Sequence, residues 1–479
     1  MYYSSQQYPR RGRANWRGYR RGTLGRFPPQ EVEDLPELPL GPSINEYNAH
    51  EFSKDITRYK SIARITNCSV VASWNWTNAR APEMLIPGKS TTLMCMPPRW
   101  SPPARVERLP QDSGDYLRDR NAARYPAHPI EPAILAAMKE SPQVCGSNAV
   151  DIVACSSTLG NLLRFIRGEE KTFRILVEKV GNTVFLVRRE RSPTEKILGV
   201  RGHGHTFPEA YTTWNQDVKS STSHQRVLRY TLGGLQCLVR FEADGYIPDT
   251  TNSPEKRTSH LEVLDPSQST AAALTSAFNT VGVSEVQPAN TGDISLKIKQ
   301  AGASIPQQQI FDLKTRSEWK RDQDTTAQEL PRLWLSQLHK FILAHHKDGV
   351  FNDVKIHNVR DKVLEWERVN SNAISRFLSL VRRIMDTAEE VEQGKFEVCH
   401  MKDHLGLLRF RHQLPDAGSA LSPTVRDKWL TLNEKDDSET SASDESSIEA
   451  ILWDDEGVDY TACSAVCGYC GHCNTVKAY

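Results

Sequence analysis

The sequence predicts a mixed α/β (α+β) fold in which a mixed β-sheet is flanked by helices. Short β-rich runs are joined by glycine turns, at Gly181-Asn182 and at Gly233-Gly234, as in β-hairpins. Apolar residues recur at helical spacing from Ile374 to Met385, and arginines occupy the other side of that helix. The 479 residues are 38% hydrophobic and 25% charged, which supplies a core for one large or two ordinary domains.

The two ends of the chain are expected to be disordered. An arm and proline-rich linker span residues 1–45, and residues 1–30 contain seven arginines and no acid. Such a segment cannot bury enough apolar surface to fold alone. Arginine pairs with phosphate and aromatic rings stack on unpaired bases, so the arm is either an RNA-binding segment or a solubilising tail. Residues 431–460 are predicted to form an acidic linker, with eleven acids against one lysine between Glu434 and Asp459.

A folded domain is predicted over residues 46–430, with its core at 150–385. Residues 249–291 are polar and rich in turn residues, and we interpret them as a long insertion between strands. The other expected elements are a strand at 70–76, a loop at 97–110, a helix beginning at Pro132, a helix through 161–166, hairpins at 173–187 and 226–241, strands at 294–298, 310–313 and 354–359, and apolar helical spacing over 333–343.

The strand at Ile310–Leu313 carries the first candidate for chemistry. Residues i and i+2 of a strand point to the same face, so Asp312 and Lys314 should emerge side by side around a buried Leu313. In metal-assisted phosphodiester cleavage the acid holds a divalent cation and the lysine places the attacking water. A surface ion pair on a solvated strand is the alternative interpretation.

A second strand ends in Glu242-Ala243-Asp244. If it lay beside Ile310–Lys314, one face would present Glu242, Asp244, Asp312 and Lys314 together. Three carboxylates repel one another unless a cation neutralises them, which favours a Mg²⁺ or Mn²⁺ site. A structural cluster of salt bridges at a sheet edge remains the alternative.

Glu209 lies in Thr206-Phe207-Pro208-Glu209-Ala210-Tyr211. Local pattern predicts a helix start, with Thr206 as N-cap, Pro208 inside the first turn and Glu209 completing a capping box. A ligand role for Glu209 is excluded only if its side chain must point back at that N-cap.

Together these motifs resemble the DXO family of RNA 5′-end decapping nucleases, over roughly residues 150–385. Glu209 stands in Phe-Pro-Glu-Ala-Tyr, Glu242-Ala243-Asp244 fits the family's Glu-x-Asp motif, and Asp312-Leu313-Lys314-Thr315 fits its Glu-x-Lys-Thr motif with Asp for Glu. Trp334-Leu335-Ser336-Gln337 is similar to its Trp-x-x-Gln pattern.

The resemblance implies a restriction-endonuclease-like PD-(D/E)XK core and metal-dependent hydrolysis at RNA 5′ ends, of decapping or pyrophosphohydrolase type. It implies that Glu209, Glu242, Asp244 and Asp312 hold one or two Mg²⁺ or Mn²⁺ ions. Lys314 would then place the water, Gln337 would contact the substrate or that lysine, and Lys299, Arg316 and the arginine-rich arm would hold phosphates.

Two departures from the family motivate an alternative function. The family has an arginine ahead of its first helix, whereas the nearest match here is Leu159-Gly160-Asn161-Leu162, with Arg164 or Arg167 as substitutes that do not align cleanly. The stretch from Asp244 to Asp312 is also longer than in the family. The alternative is a catalytically degenerate member that binds RNA or a nuclease partner protein.

The whole chain also resembles fungal proteins that carry the label geranylgeranyl pyrophosphate synthetase. Prenyl synthases hold diphosphate through magnesium on Asp-Asp-x-x-Asp helices, and the sequence contains no such motif. Asp454-Asp455 with Asp459 has a different spacing and lies in the acidic linker.

Four of the ten cysteines fall in the last 17 residues, as Cys463, Cys467, Cys470 and Cys473 within a predicted segment 461–475. Four thiolates suffice for tetrahedral Zn²⁺, and the compact spacing favours a zinc knuckle over reactive free thiols.

The rest of the chain indicates its compartment. No apolar run reaches the length of a membrane span, and the N-terminus lacks the apolar core of a signal peptide. We therefore expect a protein of the nucleus, the cytoplasm or both, neither secreted nor membrane-bound.

Overall fold

The computed structural model describes residues 37–88, 96–114, 116–197, 199–248, 296–402 and 406–432. The predicted insertion and the four C-terminal cysteines lie outside the described residues. So do the first 36 residues of the predicted arm and all but the first two residues of the predicted acidic linker.

The strands follow the β-branched and aromatic runs of the sequence. They are β1 (Ser43–Asn48), β2 (Ile65–Thr77), β3 (Glu83–Ile86), β4 (Arg99–Trp100), β5 (Tyr116–Leu117), β6 (Ile152–Cys155), β7 (Phe173–Val180), β8 (Thr183–Arg188), β9 (Lys196–Ile197), β10 (Thr212–Thr213), β11 (Ser221–Leu232), β12 (Leu235–Ala243), β13 (Gly245–Tyr246), β14 (Lys297–Gln300), β15 (Ile310–Ser317), β16 (Lys340–Lys347), β17 (Val350–Asn358), β18 (Lys395–His400) and β19 (Leu407–His412).

These strands build two main sheets of mixed direction. Within the described residues the larger sheet has the order β1-β19-β18-β7-β8-β6-β12-β11-β2-β3-β14. The smaller has the order β10-β4-β13-β15-β16-β17, and β5 pairs with β9. Strand β6 runs parallel to both β8 and β12, whereas β11 is antiparallel to β12. The predicted mixed-sheet class is confirmed.

Helices cover both faces of the larger sheet. They are α1 (Ile56–Tyr59), α2 (Arg120–Arg124), α3 (Glu131–Glu140), α4 (Ser156–Ile166), α5 (Thr206–Tyr211), α6 (Thr325–Leu335), α7 (Arg360–Val369), α8 (Ser371–Glu390) and α9 (Pro423–Thr431). Apolar side chains of α4, α6 and α8 pack in one core cluster, and those of α3 and α9 pack in another. The smaller sheet has its own cluster, in which Phe207 and Tyr211 of α5 pack against Phe311 and Leu313 of β15.

The chain passes directly from the larger sheet to the smaller one. Strand β12 ends at Ala243, and β13 begins two residues later and pairs antiparallel with β15, Gly245 opposite Phe311. Extending that register by one residue places Asp244 opposite Asp312. This crossing brings together the two motifs that the sequence separates by 68 positions.

Both predicted glycine hairpins are confirmed. Val180 pairs with Thr183 and Leu232 pairs with Leu235 across turns whose glycines have positive φ angles. The helix predicted from Ile374 to Met385 is part of α8, and the helix predicted at Pro132 begins one residue earlier.

The helical pattern over 333–343 is wrong in its second half. Helix α6 ends at Leu335, Gln337 adopts a φ of 46°, and β16 begins at Lys340. The run Phe341-Ile342-Leu343 is buried on both faces of a strand, and such continuous apolar runs do not distinguish strand from helix by periodicity. Among the described residues, no helix is long and apolar enough to cross a membrane.

Candidate functional site

A cavity of about 530 Å³ opens where the parallel strands β6, β8 and β12 end. Ser156 follows β6, Arg188 ends β8, and Glu242 stands near the end of β12, and all three line it. Ligands of α/β sheets bind beyond the carboxyl ends of parallel strands, because helix N-termini and loop side chains converge there. We call this space the arginine cavity.

Four arginines line the arginine cavity: Arg118, Arg120, Arg188 and Arg240. Asp119 orients two of them, since its Oδ2 lies 2.8 Å from Arg188 Nη2 and 4.0 Å from Arg240 Nη2. Its Oδ1 accepts from the N–H groups of Asn121 and Ala122 and caps α2. Burial alone would raise the pKa of Asp119, but the two arginines and these N–H groups lower it, so the carboxylate stays charged.

The N-terminus of α4 faces the same space. Ser156 and Ser157 line the cavity, and Cys155, the N-cap residue, makes no side-chain cap to the helix. The Cys155 Sγ instead receives Arg240 Nε at 3.1 Å. An uncapped helix N-terminus beside guanidinium groups is suited to an anion, above all a phosphate.

His224 of β11 adds a buried polar atom to the lining. Asn75 Nδ2 donates to Met96 O at 2.6 Å and to Ser221 Oγ at 2.9 Å, which identifies Asn75 Oδ1 as the acceptor facing His224 Nδ1 at 2.6 Å. The imidazole therefore carries its proton on Nδ1. Burial and then Arg226 lower its pKa well below 6.5, and Nε2 has no partner among the described residues. A ligand N–H or O–H could donate to it.

Three of the four predicted carboxylates line the arginine cavity: Glu209, Glu242 and Asp244. Glu209 is exposed on α5. Glu242 Oε1 lies 3.7 Å from Arg120 Nη1, and its Oε2 accepts from Gln225 Nε2 at 3.2 Å. The cavity lining thus contains acids as well as arginines.

The fourth carboxylate, Asp312, meets Asp244 behind the cavity wall. Leu313 N donates to Asp244 Oδ2 at 2.6 Å and to Asp312 Oδ1 at 2.8 Å. Burial, then the charge of Asp312 and a hydrogen bond shared with it, raise the pKa of Asp244 well above 3.8. Asp244 therefore favours its protonated form more than an isolated aspartate does.

Arg332 of α6 supplies the charge that balances this pair. Its Nη1 lies 2.5 Å from Asp312 Oδ2, its Nε lies 3.0 Å from Glu329 Oε2, and its pKa is raised even though burial alone would lower it. Arg332 Nη2 is buried and has no hydrogen-bond partner among the described residues.

Lys314 lies beside the acid pair but does not contact it directly. Its Nζ is 3.7 Å from Glu329 Oε1, and Arg316 Nη2 is 3.6 Å from the same oxygen. An ion chain thus runs from Asp312 through Arg332 and Glu329 to Lys314. The predicted placement of Asp312 and Lys314 around a buried Leu313 is found, with Leu313 9% exposed.

Gln337 makes other contacts than those the resemblance implies. Its Nε2 donates to Trp334 O at 2.7 Å, and its Oε1 accepts from Arg360 Nη1 at 3.4 Å. Lys299, expected to hold phosphate, pairs with Glu83 at 3.1 Å on the edge of the larger sheet.

The described side chains do not form a complete set of ligands for a divalent cation. Within the described part of the chain, no three His, Cys, Asp or Glu side chains come together closely enough to hold a metal ion. The oxygen donors are of the kind that Mg²⁺ and Mn²⁺ prefer, but Arg332 already neutralises Asp312. The cysteines predicted to bind zinc lie outside the described residues.

The capping prediction for Glu209 is wrong. The N-cap of α5 is His205, and Thr206 lies inside the helix. The helix start is capped from a distance by Asp112, whose carboxylate accepts from the N–H groups of Gly204, His205 and Thr206 at 2.7–3.2 Å. A remote acid thereby leaves Glu209 free to face the cavity.

Sequence reasoning missed the arginines. The substitutes considered for the family arginine lie elsewhere, since Arg164 contacts Asn161 and Glu169 and Arg167 contacts Glu169. Only Arg240 carried a usable signal, because it lies two positions before Glu242 on the same strand and therefore on the same face.

Comparisons with known proteins identify a sequence family and a set of solved structures of similar fold. A family model described as "Domain of unknown function (DUF8563)" matches residues 54–404. No curated protein matches the chain.

Among solved structures, S. pombe Rai1 in complex with 3′-FADP matches 77% of this chain and 99% of its own at 10% identity and a TM-score of 0.47. Scheffersomyces stipitis Rai1 in complex with (3′-NADP)⁺ and calcium matches 77% and 96% at 10% identity and 0.48. K. lactis Dxo1 in complex with manganese matches 81% and 98% at 9% identity and 0.43. These Rai1 and Dxo1 proteins are of the DXO type that the motifs resemble.

Proposed function

The chain belongs to the DUF8563 family, and we propose that this member binds the phosphorylated 5′ end of an RNA, with the terminal phosphate in the arginine cavity. One observation carries the proposal: Arg118, Arg120, Arg188 and Arg240 line the same cavity as the uncapped N-terminus of α4. Guanidinium groups and helix N–H groups are the two protein devices that recognise phosphate oxygens most directly.

The choice of RNA is supported by the sequence. The resemblance to 5′-end decapping nucleases lies in residues that line or adjoin this cavity. Seven arginines among the first 30 residues supply a second, sequence-tolerant contact to a nucleic-acid backbone. Neither feature is expected of a site for free phosphate or a small phosphorylated metabolite.

The direct test compares short RNAs that differ only at the 5′ end. Fluorescence anisotropy should show tighter binding of a 5′-triphosphate or 5′-monophosphate than of a 5′-hydroxyl RNA. Arg120→Ala should reduce that preference by about tenfold or more, because a charge-assisted contact to phosphate is lost. Arg120 suits the test because its side chain is 42% exposed, so the fold does not depend on its burial.

Arg368→Ala is the matched control, an exposed arginine on α7 that pairs with Glu365 and lies outside the arginine cavity. It should leave the preference intact. Equal binding of phosphorylated and hydroxyl ends by the unchanged protein would contradict the proposed function.

Metal-dependent hydrolysis of the same 5′ end is the second candidate. It is favoured by one observation, the presence of Glu209, Glu242 and Asp244 in the cavity that would hold the phosphate. Incubation of the purified chain with triphosphorylated or capped RNA and Mn²⁺ tests it, with Asp312→Ala as the comparison. Hydrolysis is supported if the unchanged protein forms product and Asp312→Ala does not. If both give the same background level, the chain binds the RNA 5′ end without hydrolysing it.

A further inference from the structure

A second, larger groove of about 1010 Å³ adjoins the arginine cavity. Gly204 and His205 line both spaces, so the loop before α5 forms the wall between them. The end of β15 and the residues just after it form much of the groove lining, with Thr315, Arg316, Ser317, Trp319 and Lys320. We call this space the tryptophan groove.

Cations outnumber acids along the tryptophan groove. Arg108, Arg201, Arg316 and Lys320 line it, against Asp112 and Asp348. The Asp112 carboxylate is already engaged by the N–H groups of the loop before α5 and by Thr206 Oγ1. The groove therefore presents a positive surface that continues away from the arginine cavity.

Trp319 supplies an exposed ring in the same groove. Its relative exposure is 73%, in a protein whose other described tryptophans are buried or half-buried. The Lys320 ammonium lies 4.8 Å from the centroid of the ring. An exposed aromatic face among cations is the arrangement by which proteins hold single-stranded nucleic acid, because every unpaired base can stack on it.

We propose that the tryptophan groove binds the nucleotides that follow the RNA 5′ end as a single strand. A base stacks on Trp319, and the backbone phosphates pair with Arg108, Arg201, Arg316 and Lys320. This inference rests on the proposed function, because the shared wall at Gly204 and His205 sets the direction of the strand away from the 5′ phosphate. Bases inside a duplex are stacked on both faces and cannot stack on Trp319, so a single strand should bind this groove more tightly than a duplex.

Binding measured against RNA length tests the groove separately from the arginine cavity. For the full chain, 5′-phosphorylated oligouridylates of two and of twelve nucleotides are compared by anisotropy, each against its 5′-hydroxyl counterpart. The longer RNA should bind more tightly. Trp319→Ala should remove about tenfold of that gain, the size of one base stack, while the preference of the dinucleotide for a 5′ phosphate stays unchanged.

Two matched controls exclude a general loss of structure. Val369→Ala changes another exposed apolar residue, 64% exposed on α7, and should not alter the length dependence. Lys362→Ala, an exposed lysine of α7, should be neutral where Lys320→Ala weakens the binding of the long RNA.

The outcomes separate the two proposals. An unchanged gain with length in Trp319→Ala, or equally tight binding of a blunt duplex, overturns the groove and leaves the 5′-end site standing. A length gain that depends on Trp319, without any preference for a 5′ phosphate, supports the groove and overturns the proposed function.

Discussion

Arg332 provides, from within the fold, the positive charge that two adjacent aspartates require. Its guanidinium contacts Asp312 at 2.5 Å, and Asp312 is 6% exposed. The Arg332 side chain is 36% exposed, so its removal would leave the buried Asp312 carboxylate without its counter-charge. Substitution of Arg332 would also empty the position from which a cation could neutralise the two carboxylates.

Arg332→Gln should therefore lower the free energy of unfolding by about 2 kcal/mol or more, since a buried carboxylate loses its counter-charge. Added Mn²⁺ should restore part of the loss and give a larger calorimetric binding signal than it gives with the unchanged protein. Urea unfolding with and without Mn²⁺ measures both effects. Arg321→Gln, a change of an exposed arginine paired with Asp353, serves as control. Wild-type stability of Arg332→Gln would show that Arg332 does not balance the pair.

Asp244 should make stability depend on pH in an unusual direction. Its pKa is raised in the folded protein, first by burial and then by Asp312, so the folded state keeps a proton that the unfolded chain loses above about pH 4. The contribution of Asp244 is thus fully favourable below that pH and is lost as pH rises toward the folded pKa.

Asp244→Asn keeps an oxygen to accept from Leu313 N and removes this titration. Its free energy of unfolding should exceed that of the unchanged protein by a margin that grows as pH rises from the unfolded pKa near 4 toward the raised folded pKa. Denaturant unfolding at three pH values measures the margin, with the exposed Asp322→Asn as control. A margin that is constant with pH would contradict the raised pKa.

Some site residues have their neighbours close in sequence and others do not. The placement of Glu242 beside Asp244, and of Asp312 beside Lys314, could be predicted, because residues two positions apart on a strand point to the same face. Arg332 was not, since its position depends on how α6 packs beside β15, and no local pattern encodes that packing.

At the scale of elements, the loop before α5 depends on one distant carboxylate. Asp112 accepts from three consecutive N–H groups, and these bonds lower its pKa although burial alone would raise it. The local pattern Thr-Phe-Pro-Glu predicts a capping box. The helix start is instead capped by the Asp112 carboxylate, 94 positions away from Thr206. Sequence spacing cannot predict a cap that comes from a distant part of the chain.

Asp112→Ala should lower the free energy of unfolding by about 2 kcal/mol at neutral pH, the upper end for loss of a helix cap. The stabilisation by Asp112 exists above the unfolded pKa near 4 and disappears as pH falls through the lowered folded pKa. Thermal unfolding at pH 7 and pH 3 checks it: the difference between Asp112→Ala and the unchanged protein should shrink at pH 3. Asp322→Ala should show no such difference, and a gap that persists at pH 3 would count against the capping role.

At the scale of the whole molecule, the two sheets meet where β12 passes into β13. Gly245 is required there, because a Cβ at this position would lie 2.5 Å from Pro98 O and 2.7 Å from the ring of Phe311. The class of the fold and its hairpins followed from glycine turns and strand patterns. The assembly into two separate sheets did not, since it depends on pairings such as Gly245 with Phe311 across the predicted insertion.

Gly245→Ala should destabilise the protein by about 1–3 kcal/mol, as overpacking against backbone does, and should disturb Asp244 as well. Gly406→Ala, whose added Cβ would have 4.0 Å to its nearest neighbour, is the control. Thermal unfolding compares them, and equal melting temperatures for the two variants would contradict the close approach.

The position of the arginine cavity has a mechanical consequence. Arg240 belongs to the larger sheet, Thr212 belongs to the smaller one, and both line the same space. A molecule that contacts both walls acts as a removable cross-link between the sheets, so its binding free energy adds to the work of pulling them apart. A bound ligand would then reduce motion at the β12–β13 crossing.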